Sequence, residues 1–152
     1  MSGAPGEVSE QQVQEDLIRL DAYRDQLNAM LQQHQILEAS RADHLRARES
    51  LEGIDRASPG TEFLLPLGGE AYVRGAIDRA APVLIGVGSG IVAEMERPKV
   101  LELLAQRLVK IDEATREMEG QMNALNDRIQ MLSRRLDAIA RSAAGPSDVG
   151  RN

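Results

Sequence analysis

Between Leu101 and Ile139 the chain carries one narrow stripe, with residues spaced alternately three and four apart: Leu101, Leu104, Leu108, Ile111, Thr115, Met118, Met122, Leu125, Ile129, Leu132, Leu136 and Ile139. Only Thr115 in this series is not apolar. A mean spacing of 3.5 keeps such a stripe facing a partner along an underwound helix, so the run predicts a left-handed coiled coil. A helix buried along one seam cannot close a globular core alone, and a second helix has to cover it. Pro98 sits near the first helical turn, where its missing N–H costs nothing, and Gly145-Pro146 stops the pattern.

The covering helix is expected from Ser9 onward, where Ser9 and Gln12 form a capping-box pattern, to about Gly53 and Ser58-Pro59-Gly60. Its seam reads in two phases. Val13, Leu17, Leu20, Tyr23, Leu27, Met30, His34 and Leu37 follow one; Ser40, His44, Ala47, Leu51 and Ile54 follow the other, which implies a phase slip near Leu37 to Ser40. Each run of about 43 residues would be about 65 Å long at the helical rise.

Glycine and proline concentrate between the two runs. Thr61 to Leu67, Ala71 to Ile77, Val83 to Val87 and Ile91 to Met95 are β-prone, and Gly68-Gly69 and Gly88-Ser89-Gly90 read as turns, giving two successive hairpins. Folding back through them makes the helices antiparallel. The expected fold class is α+β: a long antiparallel coiled coil with two central β-hairpins. The expected divisions are a disordered N-terminal tail at 1–8, a helix at 9–57, hairpins at 58–97, a helix at 98–142 and a disordered C-terminal tail at 143–152. Isolated apolar hairpins are marginal in water and leave open edges, so an oligomer is expected.

Composition narrows the chemistry. Phe63, Tyr23 and Tyr72 are the only aromatics in 152 residues, so burial must be aliphatic. A net charge of -6 gives no footing for a nucleic-acid backbone, and the absence of cysteine excludes thiolate metal sites and a cysteine nucleophile. No window approaches the roughly 20 apolar residues that span a bilayer, and a cytoplasmic location is the default expectation. Gly86-Val87-Gly88-Ser89-Gly90 resembles a dinucleotide loop only superficially, because Ile91 stands where the third glycine belongs and a strand follows instead of a helix. His34 and His44 are ten residues apart, far from the i,i+4 spacing that lets two helical imidazoles share an ion. The carboxylates Asp112, Glu113, Glu117 and Glu119 fall mostly on a solvated face, and no nucleophile elbow is present. The expectation is no enzyme, no metal and no cofactor. At the distal helix ends, Val13, Leu17, Leu132, Leu136 and Ile139 read equally well as the last seam layer or as apolar surface exposed by fraying.

A helix, two hairpins and a returning helix resemble the α subunits of the prefoldin family. The local sequence does too, in Thr61-Glu62-Phe63-Leu64-Leu65-Pro66-Leu67-Gly68-Gly69 with Ala71-Tyr72-Val73-Arg74-Gly75, and in Val83-Leu84-Ile85-Gly86-Val87-Gly88-Ser89-Gly90 with Val92 and Glu94. The resemblance covers roughly Glu10 to Ile139. It implies a hetero-hexamer of two α with four prefoldin β subunits, whose hairpins join in a double β-barrel. Phe63, Leu65, Leu67, Tyr72, Val83, Ile85, Val87 and Val92 would form the oligomer interface. It further implies an ATP-independent molecular chaperone whose coiled-coil tips, here Val13, Leu17, Leu132, Leu136 and Ile139, bind unfolded protein clients and pass them to a group II chaperonin. A coiled-coil scaffold without client binding, or a helical appendage of an enzyme, are the alternatives that periodicity alone leaves open.

Overall fold

The computed structural model describes residues 9–145, so the expected tail at 1–8, and 146–152 of the expected C-terminal tail, lie outside the described residues. The elements run α1 (Glu10–Arg56), β1 (Glu62–Gly68), β2 (Ala71–Ala76), β3 (Val83–Gly88), β4 (Ile91–Met95) and α2 (Arg97–Ala143). This is the α+β order of two long helices around two hairpins. Ser9 caps α1: its Oγ accepts the Gln12 N–H at 3.2 Å. At the start of α2 the Glu96 carbonyl accepts from the amides of Lys99 and Val100, and Pro98 fits the first turn between them.

The chain divides into two compact units, one made of residues up to Ile36 and from Thr115 onward, the other of Leu37–Ala114. In the first, the α1 and α2 segments run in opposite directions. Arg135 Nε lies 3.4 Å from Asp16 Oδ2 and His34 Nε2 lies 3.3 Å from Glu119 Oε1. On the α2 segment every stripe position from Thr115 to Ile139 is shielded from water, with Leu125 and Thr115 fully buried.

The seam of α1 differs from the expectation. A three-four alternation of shielded positions runs along it through Val13, Asp16, Leu20, Tyr23, Leu27, Met30, His34, Leu37, Arg41, His44, Arg48 and Leu51. Of the expected second phase, Ser40, His44, Leu51 and Ile54 are shielded as well, so both phases meet the seam beyond Leu37. Asp16 is buried where Leu17 was expected to be, and Leu17 lies beside the seam at 48% exposure; Ala47 is likewise exposed. Polar side chains hold several of these seam positions. Asp16 faces Arg135, Arg41 donates from Nε to Asp112 Oδ1 at 2.7 Å, and Arg48 spreads its stem while its Nε lies 3.7 Å from Glu52. The hydrogen bond to Asp112, reinforced by the carboxylate's charge, holds the Arg41 guanidinium above its ordinary range.

In the second unit the core lies where the hairpin meets the helices. Val100, Leu104 and Leu51 are buried, Val100 to 1% exposure, and Ile54, Val83, Ile85, Met95 and Leu101 pack around them. Arg97 adds an ion pair to Asp55 at 2.9 Å. Both hairpins are antiparallel, β1 with β2 and β3 with β4. Their turns need two successive residues at positive φ, supplied by Gly69 and Glu70 in the first and by Ser89 and Gly90 in the second. That is the mirror-image turn whose twist matches paired strands.

Candidate functional site

Among the described residues, exposed apolar side chains gather at two places that bear on function. The first lies at the end of the first unit, where the start of α1 meets the end of α2. Val13, Leu17, Leu136 and Ile139 line a groove of ≈ 700 Å³ there, with Glu10 and Asp137 among its polar lining. Leu17 is the exposed member, while Val13, Leu136 and Ile139 are half-buried. Four of the five residues expected at the tip are thus brought together; Leu132 sits half-buried on the seam below them. A groove of this chemistry offers apolar area without hydrogen-bond direction.

The second surface is on the strands. Leu64, Leu67, Tyr72, Leu84, Ile91 and Val92 are each at least 60% exposed, an unusual amount of bare apolar area for a chain this size. Of the residues expected at an oligomer interface, Leu65, Leu67, Tyr72, Val87 and Val92 are exposed and Phe63 is half-buried. Val83 and Ile85 point the other way, into the chain's own core against Val100 and Leu104. Strand alternation explains the division: β3 sends Val83 and Ile85 to the helices and Leu84 to solvent. Leu64, Leu84 and Ile91 escaped the sequence reading, and the period-2 alternation around Val83 and Ile85 was the signal that marks Leu84.

The histidines are placed as structural residues. His34 faces Glu119, and His44 Nδ1 lies 2.7 Å from the Ser40 carbonyl. Among the described residues no group of three or more His, Cys, Asp or Glu is arranged to hold a metal ion, and no helix is long and apolar enough to cross a membrane.

Two long helices, two antiparallel hairpins with bare apolar side chains on their strands, and an apolar groove between the helix ends of the first unit define a helical subunit of the kind that assembles through its strands. A family model described as a prefoldin subunit matches residues 11–142, and the chain belongs to the prefoldin family, with the chaperone-type role of that family. It is 29% identical over 124 residues to "Prefoldin subunit alpha" of Methanoculleus marisnigri, covering 82% of this chain and 83% of the relative. The prefoldin α subunit of Archaeoglobus fulgidus is 25% identical over 130 residues, covering 86% of this chain and 95% of that one. The fold is shared with a filamentous PFD from Methanocaldococcus jannaschii, at a TM-score of 0.65 and 23% identity over 76% of this chain and 95% of that one. It is also shared with the prefoldin β subunit of Thermococcus strain KS-1, at a TM-score of 0.56 and 18% identity over 96% and 99% of the two chains.

Proposed function

We propose that the chain is an α-type subunit of a prefoldin hetero-oligomer, and that it holds non-native polypeptides in the groove at its helix ends. The observation that carries this is the groove itself, in which Leu17 is displaced from the seam by Asp16 and left facing water. A leucine held outside the seam is available to a ligand at no cost in unpacking. One groove provides little area, so affinity for a client comes from several subunits joined through their strands, which raises avidity without new contacts. Holding of this kind draws only on apolar binding energy and needs no nucleotide. Release follows when a chaperonin of group II competes for the same client surface. In this reading the partners are prefoldin β subunits, two α with four β, and the working place is the cytoplasm.

The test is suppression of aggregation of a chemically denatured model protein by the assembled complex. Wild type is compared with a variant carrying Ser at Val13, Leu17, Leu132, Leu136 and Ile139. Lost protection by an intact mutant assembly is expected. Equal protection would place the client surface elsewhere, and no protection by the wild-type assembly would leave a scaffold without client binding.

A further inference from the structure

The distal groove has an apolar floor and an acidic lip. Val13 and Leu17 from α1, with Leu136, Ile139, Ala140 and Ala143 from α2, supply the floor, and the charged residues lining it are Glu10 and Asp137, one from each helix. Both are exposed, and neither makes an ion pair among the described residues. The cations of this end are turned to other acceptors. Arg135 Nε lies 3.4 Å from Asp16 Oδ2, and Arg134 Nη2 donates to Gln130 Oε1 at 3.3 Å. Arg141 Nε donates to the backbone carbonyl of Asp137 at 3.2 Å and not to its carboxylate.

The backbone adds charge of the same sign. α2 ends at Ala143, a lining residue, so its last carbonyls bring the negative end of the helix dipole to the groove. The positive end at the start of α1 is answered within the chain, by the Ser9 side chain and by Glu10 in the first turn.

An uncharged apolar segment gains nothing from such a lip, and an acidic one is repelled by it. A lysine or arginine beside apolar residues suits both parts, because its aliphatic stem can lie along the floor while its head reaches a carboxylate. From this we infer that the groove selects, among non-native segments, apolar runs flanked by lysine or arginine. Glu10 and Asp137 set the preference, and the floor around Leu17 supplies most of the contact. The same lip disfavours capture of another copy of this chain, whose net charge is -6. The inference rests on the reading that the groove holds non-native chains, and it names the class of segment held.

The experiment is a nuclear magnetic resonance titration of the full chain, labelled at its leucine and valine methyl groups, with far-UV circular dichroism to verify helicity. Three synthetic peptides share one apolar run and differ in flanks of lysine, serine or glutamate. Methyl signals of Leu17 and Leu136 should shift on binding. The lysine-flanked peptide should bind about fivefold more tightly than the serine-flanked one, and the glutamate-flanked peptide about fivefold more weakly. Glu10→Gln combined with Asp137→Asn should bring the three within about twofold of one another while leaving the serine-flanked peptide unchanged, and added salt should compress the ranking in the same way. Glu15→Gln combined with Asp25→Asn removes the same charge from exposed positions outside the groove lining and should leave the wild-type ranking intact. Equal binding of the three peptides by wild type at low salt, or a ranking that survives Glu10→Gln with Asp137→Asn, would overturn the inference and leave the proposed function standing. Leu17 shifts on concentrating the chain without peptide would make a second copy the occupant and would overturn it too. Absence of binding by all three peptides would also overturn it, and aggregation assays on the assembled complex then decide separately whether the proposed function stands.

Discussion

Gly75 and Phe63 face each other across the first hairpin so closely that a Cβ on Gly75 would lie 3.0 Å from the ring's Cζ. The glycine is therefore a seat for the ring and not a flexible point, since its φ is not positive. Gly75→Ala should push Phe63 off its rotamer at a cost of about 1 kcal/mol. A lower thermal midpoint with unchanged helicity would show it, whereas an unchanged or raised midpoint would mean that the ring yields freely.

Neighbouring residues of β3 should fail in different ways. Ile85→Asp places a charge against Val100 and Leu104, and should destabilise the subunit itself by about 3 kcal/mol. Leu84→Asp alters a side chain that is 67% exposed, so the monomer should keep its melting temperature while association is lost. Thermal melts and sedimentation on both variants separate the two effects, and identical behaviour would refute the assignment of faces.

Leu17 and Leu20 offer the same separation at the helix ends. Leu20 is 5% exposed, and its replacement by Ser should cost about 2–4 kcal/mol. Leu17→Ser should change stability by less than about 1 kcal/mol and yet reduce protection of a denatured client. Unfolding curves beside aggregation assays test this; full protection by Leu17→Ser would remove that residue from the client surface.

Asp16 is buried with its Oδ2 3.4 Å from Arg135 Nε and without a hydrogen bond. A half-satisfied charge at a seam position is retained at the expense of stability. Asp16→Leu should raise the melting temperature of the chain, with a gain of about 1–2 kcal/mol. No gain would show that the ion pair already offsets its desolvation.

Legibility in the sequence followed how much each residue's burial depends on its own chemistry. The α2 seam could be read directly because its side chains are apolar with the sole exception of Thr115. In α1 the same periodicity is written partly with Asp16, Arg41 and Arg48; the partners of the first two, Arg135 and Asp112, are residues that no local pattern connects to them. An apolar neighbour such as Leu17 then attracts the assignment. The hairpins were legible from their glycines, but which face of β3 meets the helices depends on Leu51 and Val100, which arrive from other elements. At the distal groove four of the five expected residues come together, since both helix ends were already fixed by the Ser9 cap and the Gly145-Pro146 stop.

The paired positive-φ residues at Gly69-Glu70 and Ser89-Gly90 also set an order of events in time. Each turn closes a strand pair over a handful of residues, a search completed in about 1–10 μs, whereas Asp16 and Arg135 are more than a hundred residues apart in the chain. The expected order is that the hairpins close first and bring Leu51 beside Val100, with helix pairing proceeding outward from there. Substitutions at Leu51 or Val100 should slow folding, while those near Val13 or Ile139 should mainly speed unfolding. The helix ends around Val13 and Ile139 are then expected to be the last part to form and the first to open.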